Sequence, residues 1–165
     1  MNIAELLIKN NKTITFAESC TGGLIAKKLT DISGASQCFE CSFVTYSNEK
    51  KSKLIGVSKE TLENYGAVSY QTALEMCKGA RDTAEADIAV SVTGIAGPNG
   101  GTAEKPVGLV YVGICTEDIW AYTKLNLSGT REEIREKTAD TALLIASLYL
   151  NKILETEGNK IKNIF

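Results

Sequence analysis

The stretch Thr13–Ile32, TITFAESCTGGLIAKKLTDI, decides the fold of this 165-residue chain. Thr13 to Ala17 (TITFA) is rich in β-branched and aromatic residues, the composition of a strand. From Leu24 to Ile32 the apolar residues Leu24, Ile25, Leu29 and Ile32 recur at helical spacing, leaving Lys27 and Lys28 to solvent. Between the two lies Glu18-Ser19-Cys20-Thr21-Gly22-Gly23, short and glycine-rich. A strand passing through a tight turn into a helix is the building unit of a helix-covered sheet.

The alternation continues on both sides of this unit. Ile3 to Lys9 reads as a short helix and Cys38 to Tyr46 as a second strand. Lys50 to Tyr65 reads as short helical pieces, with Ser58 as a cap. Ser69 to Glu85 is a longer helix and Asp87 to Thr93 a strand. Val107 to Thr116 and Trp120 to Leu127, a few polar residues apart, form a hairpin. The last helix runs from Arg131 to Leu154, its start fixed by Thr130 and Glu133 at capping-box spacing. Helices interleaved with strands and closing on a hairpin predict an α/β fold, a three-layer α/β/α sandwich around a mixed sheet. No repeat, low-complexity run or Pro/Ser-rich linker divides the chain. Residues 1–154 therefore read as one domain, and Glu155 to Phe165, polar and containing Gly158, as a loose tail.

Composition narrows the function classes. With 44% apolar residues the chain can bury one sizeable core. Eighteen Lys+Arg against 20 Asp+Glu leave a net charge of −2, which disfavours nonspecific nucleic-acid binding. Met1 to Asn10 contains Glu5 and lacks the basic start and long apolar run of an export signal, so a cytoplasmic location is expected. No apolar run approaches the ~20 residues of a membrane helix. Five cysteines, Cys20, Cys38, Cys41, Cys77 and Cys115, fit a reduced compartment better than a disulfide framework. Cys38 and Cys41 have C-x-x-C spacing, but with no histidine and no second pair they read as plain thiols and no metal site is expected.

Three segments fall at strand ends, where ligands collect in open α/β sheets. The first is Glu18 to Gly23, whose helix-start N–H groups could hold an oxyanion or phosphate beside Ser19. Ser19 or Thr21 as a mere helix cap is the plainer alternative. The second is Tyr46-Ser47-Asn48-Glu49-Lys50-Lys51. A serine nucleophile needs a proton acceptor, and without histidine the candidates are lysine, carboxylate or tyrosinate. A lysine serves only if burial or a neighbouring cation lowers its pKa, and Lys50, Lys51 and Lys53 each read more readily as surface residues than as a base.

The third is Thr93-Gly94-Ile95-Ala96-Gly97-Pro98-Asn99-Gly100-Gly101, then Lys105-Pro106, where glycine density suits a ligand loop as well as a flexible connection. It is neither a Walker loop nor G-x-G-x-x-G. Arg131 and Arg135, four residues apart at a helix start, repel each other and oppose the dipole. A phosphate, or an ordinary carboxylate such as Glu132, would justify them.

In combination these segments resemble the CinA carboxy-terminal domain family, whose stand-alone members are nicotinamide-nucleotide amidases (NMN deamidases). The matching motifs are AESCTGG at Ala17 to Gly23, VTYSNEKK at Val44 to Lys51, LIGV at Leu54 to Val57, TGIAGPNGG at Thr93 to Gly101, KPVGLVY at Lys105 to Tyr111, and the Arg131/Arg135 pair. The resemblance implies hydrolysis of the carboxamide of nicotinamide mononucleotide to nicotinic acid mononucleotide and ammonia. It implies Ser19 as nucleophile, Lys51 as general base and Tyr46 as relay or orienting group, with no metal or organic cofactor.

For substrate it implies Thr21, Gly22, Gly23, Asn48, Lys105, Arg131, Arg135 and the loop residues Thr93, Gly94, Ala96, Gly97, Gly100 and Gly101. It further implies a homo-oligomer, in which a neighbouring subunit could supply an arginine. Longer members carry an amino-terminal molybdopterin-binding-like domain with its own hydrolase activity, not expected of these residues. Thr130 stands where the family often has an acidic residue. A non-catalytic nucleotide-binding or competence/damage-associated protein is the rival expectation, and loss of Ser19 or Lys51 would mark it; both are present.

Overall fold

The structure is a computed structural model and describes residues 1–162. Its centre is β1 (Ile14–Glu18), all five residues of which are buried. Side chains alternate across a strand, so Ile14 and Phe16 enter one apolar cluster while Ala17 enters another on the opposite face. The full set is α1 (Ile3–Lys9), α2 (Leu24–Thr30), β2 (Phe43–Val44), α3 (Asn48–Ile55), α4 (Lys59–Tyr65), α5 (Tyr70–Ala84), β3 (Ile88–Gly94), β4 (Leu109–Cys115), β5 (Trp120–Asn126), α6 (Arg131–Leu150), β6 (Thr156–Glu157) and β7 (Lys160–Ile161).

The strands form one mixed sheet in the order β2-β1-β3-β4-β5-β7-β6. β2, β1 and β3 run parallel, and β4 and β5 return antiparallel as the expected hairpin. Helices α1, α2 and α6 cover one face and α3, α4 and α5 the other. This is the expected three-layer sandwich. Among the described residues no helix is long and apolar enough to cross a membrane.

Several expected boundaries shift for local reasons. The strand expected over Cys38 to Tyr46 shrinks to Phe43–Val44. A 3-10 turn at Ala35–Gln37 leads into it, the Cys38 N–H closes that turn on Ala35, and Phe39 makes only a single bridge to Ile14. Helix α3 starts at Asn48 rather than Lys50, because the Ser47 hydroxyl caps it by accepting from the Lys50 N–H. Ser58 is the N-cap residue of α4, yet its side chain makes no cap bond; its N–H donates to Glu75 Oε2 instead.

Thr130 and Glu133 form the expected capping box, but α6 stops at Leu150, short of Leu154. Within the tail expected to be loose, Thr156–Ile161 turns back as the β6–β7 ribbon, pairs with β5 beside Tyr122 and buries Ile161, while residues 163–165 lie outside the described residues.

Where α5 crosses α3 the backbones touch. A Cβ placed on Gly79 would lie 1.7 Å from the Ile55 carbonyl oxygen, at the end of the helix that carries Lys51. Gly79→Ala is therefore expected to cost about 2–4 kcal/mol and to displace α3. A urea midpoint within error of the parent would show that the two helices can separate freely.

Candidate active site

Ser19 follows β1 directly, and its N–H donates to the Val92 carbonyl of β3 at 3.1 Å, placing it at the carboxyl ends of the parallel strands. The chain then reverses through Gly22 and Gly23, both with positive φ, into α2. No hydroxyl caps this helix. Glu18 does so from behind: wholly buried, it accepts from the N–H groups of Gly23 (2.9 Å), Ile25 (3.1 Å) and Ala26 (2.9 Å).

The helix-start donors expected to hold a substrate anion are thus occupied by the protein's own carboxylate. Gly22 N–H is likewise bound, to the Ser19 carbonyl. Among the described residues, the Cys20 and Thr21 N–H groups are the donors of this turn left without an acceptor.

Lys51 lies one turn inside α3, on its inner side. It is 1% exposed, whereas Lys50 and Lys53 face solvent. Its Nζ is 3.0 Å from Ser19 Oγ and 2.7 Å from the Thr45 carbonyl oxygen. Burial drives its pKa from 10.5 down to about 8, against a smaller opposing influence of the Cys20 thiol. The contacts account for the direction. An ammonium has three N–H donors and finds two partners here, leaving one buried without an acceptor. A neutral amine donates one N–H to Thr45 and offers its lone pair to the Ser19 O–H, which is the arrangement of a base beside its nucleophile.

The expected site residues divide into two groups, and Cys20, not among them, joins the first. Ser19, Cys20, Tyr46, Asn48, Lys51, Thr93, Gly94, Ala96, Gly97, Gly100 and Arg131 line one cavity of about 260 Å³. Among the described residues that line it, Arg131 carries a fixed positive charge and none is acidic, so the cavity favours an anion. Arg131 bridges the mouth, donating to the Gly97 carbonyl (2.7 Å) and the Tyr46 hydroxyl (2.9 Å). Tyr46 is 63% exposed and bonds to neither Ser19 nor Lys51, so its geometry is that of a rim residue rather than a proton relay.

Thr21, Gly22, Gly23, Gly101, Lys105 and Arg135 lie outside this lining. Lys105 Nζ donates to the Tyr65 carbonyl at the end of α4. Arg135 donates to the carbonyls of Cys20 (3.2 Å) and Thr21 (2.6 Å), beneath the Ser19–Gly23 turn. All five cysteines are free thiols, and no group of three or more His, Cys, Asp or Glu among the described residues could hold a metal ion.

Residues 1–150 match the model of the CinA C-terminal domain. The chain belongs to the CinA C-terminal domain family. A CinA-like protein of Endomicrobium trichonymphae is 56% identical over 138 residues, 84% of this chain and 32% of that protein. The chain thus spans about a third of the length of the curated relatives it matches, 36% in a Thermoanaerobacter case.

Among solved CinA structures, the competence/damage inducible protein CihA of Agrobacterium tumefaciens superposes with a TM-score of 0.84 at 45% identity. That superposition covers 90% of this chain and 95% of CihA. A CinA superfamily protein of Klebsiella pneumoniae gives a TM-score of 0.88 at 31% identity, covering 91% and 94%.

Within this CinA domain, sequence reasoning missed two parts of the site. Glu18 reads in sequence as the first residue of the glycine-rich turn, with no sign that its carboxylate caps the helix, and the Thr45 partner of Lys51 is a backbone carbonyl with no side-chain signature.

Proposed function

We propose that this CinA domain is an amidohydrolase that converts nicotinamide mononucleotide to nicotinic acid mononucleotide and ammonia. The observation that carries the reading is the buried Lys51 amine 3.0 Å from Ser19 Oγ, at the floor of a cavity with no acidic lining. Neutral Lys51 takes the Ser19 proton as Oγ bonds to the carboxamide carbon, and the carbonyl electron pair moves onto oxygen. Lys51 then gives that proton to the amide nitrogen, the C–N bond breaks and ammonia leaves. Water attacks the acyl ester by the same route and returns the proton to Ser19.

The cavity lies just below the ~300–1,000 Å³ usual for small-molecule sites. It suits the pyridine ring, with the ribose phosphate directed outward to Arg131. Because Arg131 holds Tyr46 and Gly97, a phosphate would take over at least one of these bonds.

Purified protein is expected to release ammonia from nicotinamide mononucleotide, and Ser19→Ala to release none above background. Undiminished turnover in Ser19→Ala would remove the nucleophile assignment, and no turnover in the parent would favour a non-catalytic nucleotide binder. The base must be neutral, so kcat/KM should rise about tenfold per pH unit below pH 8 and level off above it. A profile flat from pH 6 to 9 would exclude Lys51 as the base.

A further inference from the structure

Arg135 sits where a phosphate clamp was expected, yet its guanidinium is spent on the Cys20 and Thr21 carbonyls. These carbonyls belong to the peptide units that follow Ser19. In a trans peptide the N–H points opposite to the C=O of the same unit. Pinning the Cys20 carbonyl from below therefore aims the Thr21 N–H away from Arg135, and the cation polarises that peptide into a stronger donor. On the neighbouring unit, the Ser19 carbonyl accepts from Gly22 N–H, which fixes the Cys20 N–H in the same way. These two amides are the ones of the turn without an acceptor, while Glu18 takes Gly23, Ile25 and Ala26.

We propose that Arg135 is a positioning residue that holds the Cys20–Thr21 turn rigid, so that the N–H of Cys20, which lines the cavity, receives the oxyanion formed at Ser19. The inference deepens the amidase reading and rests on it. It assigns the oxyanion donor to the serine turn, not to the Thr93–Gly101 loop, and it removes Arg135 from phosphate binding. Glu18 behind the turn and Arg135 beneath it hold it from two sides, as preorganised oxyanion donors require.

The test compares wild type, Arg135→Lys and Arg135→Ala on nicotinamide mononucleotide and on nicotinamide riboside, which lacks the phosphate. Loss of alignment should lower kcat about 10- to 100-fold with KM within threefold, equally on both substrates. Guanidinium ion added to Arg135→Ala should restore part of kcat, which a purely structural defect would not allow. A KM that rises tenfold for the mononucleotide only, with kcat intact, would make Arg135 a phosphate contact and overturn the proposal; so would unchanged kcat.

Should Arg135→Ala fail to fold, Arg135→Lys carries the same comparison. Labelling of Ser19 by a fluorophosphonate separates this inference from the substrate assignment. There the Oγ–P bond forms, fluoride leaves, Lys51 takes the proton, and the same donor faces the phosphoryl oxygen. Labelling of wild type should be at least tenfold faster than of Arg135→Lys even if nicotinamide mononucleotide is not the substrate. Equal rates would overturn the positioning role alone.

Discussion

Lys51→Met should abolish ammonia release while making the protein more stable at neutral pH. Among the described residues Lys51 Nζ is the basic group within hydrogen-bond distance of Ser19 Oγ, so its removal leaves the hydroxyl without a base. General-base loss alone is worth about 10²–10⁴-fold, and removal of one member of a nucleophile–base pair usually costs more.

The stability change follows from linkage. The folded-state pKa of Lys51, about 8, lies below its unfolded value of 10.5. Between those values the unfolded chain binds more protons, so stability rises with pH through that window; below pH 8 the cost of burying the charge is fully present. A methionine of similar length carries no such cost. Lys51→Met is expected to gain about 1–3 kcal/mol at pH 7, and the gain should shrink as pH rises from 8 to 10.5. Urea unfolding at pH 7 and pH 10 measures it. A variant less stable than the parent at pH 7 would mean that the Lys51 contacts outweigh its desolvation.

Glu18→Gln should be the most damaging conservative change in the site. Both oxygens of Glu18 accept backbone N–H bonds, three in all, and the residue is wholly buried. A glutamine turns its NH2 toward at least one of those N–H groups, so a buried donor faces a donor. The expected cost is about 2–4 kcal/mol, the scale of a buried polar group stripped of its partner. Because Glu18 adjoins Ser19, kcat should fall with it. Thermal and urea unfolding together with kcat check this, and a change below about 0.5 kcal/mol would show the three bonds to be dispensable.

Much of this was legible in the chain. The run TITFAESCTGG fixes a strand, a turn and a helix because apolar spacing changes from strand-like to helical across a pair of glycines. The hairpin strand read over Trp120 to Leu127 and the Thr130/Glu133 box were equally plain, since turn and cap chemistry are local. What escaped depends on neighbours distant in sequence. Cys38 to Tyr46 reads as a long strand by composition, but the 3-10 turn before it is followed by only two strand residues, Phe43 and Val44.

The β6–β7 ribbon is too short and polar to read as strands without the β5 edge it covers. At the site, a cluster of three lysines gives no sign of which is buried; the Ser47 cap sets the phase of α3 and turns Lys51 inward. The twin arginines read alike in sequence, yet one spans the cavity mouth and the other props the turn, because a single helical turn separates their reach.

The most direct measurement of the central claim is the titration of Lys51 itself, by NMR of ¹³Cε- or ¹⁵Nζ-labelled lysine assigned through Lys51→Met. A midpoint near pH 8, coincident with the inflection of kcat/KM for ammonia release, is the result expected of a desolvated amine serving as the base. A midpoint above pH 10 would leave the amine charged throughout the working range and contradict it.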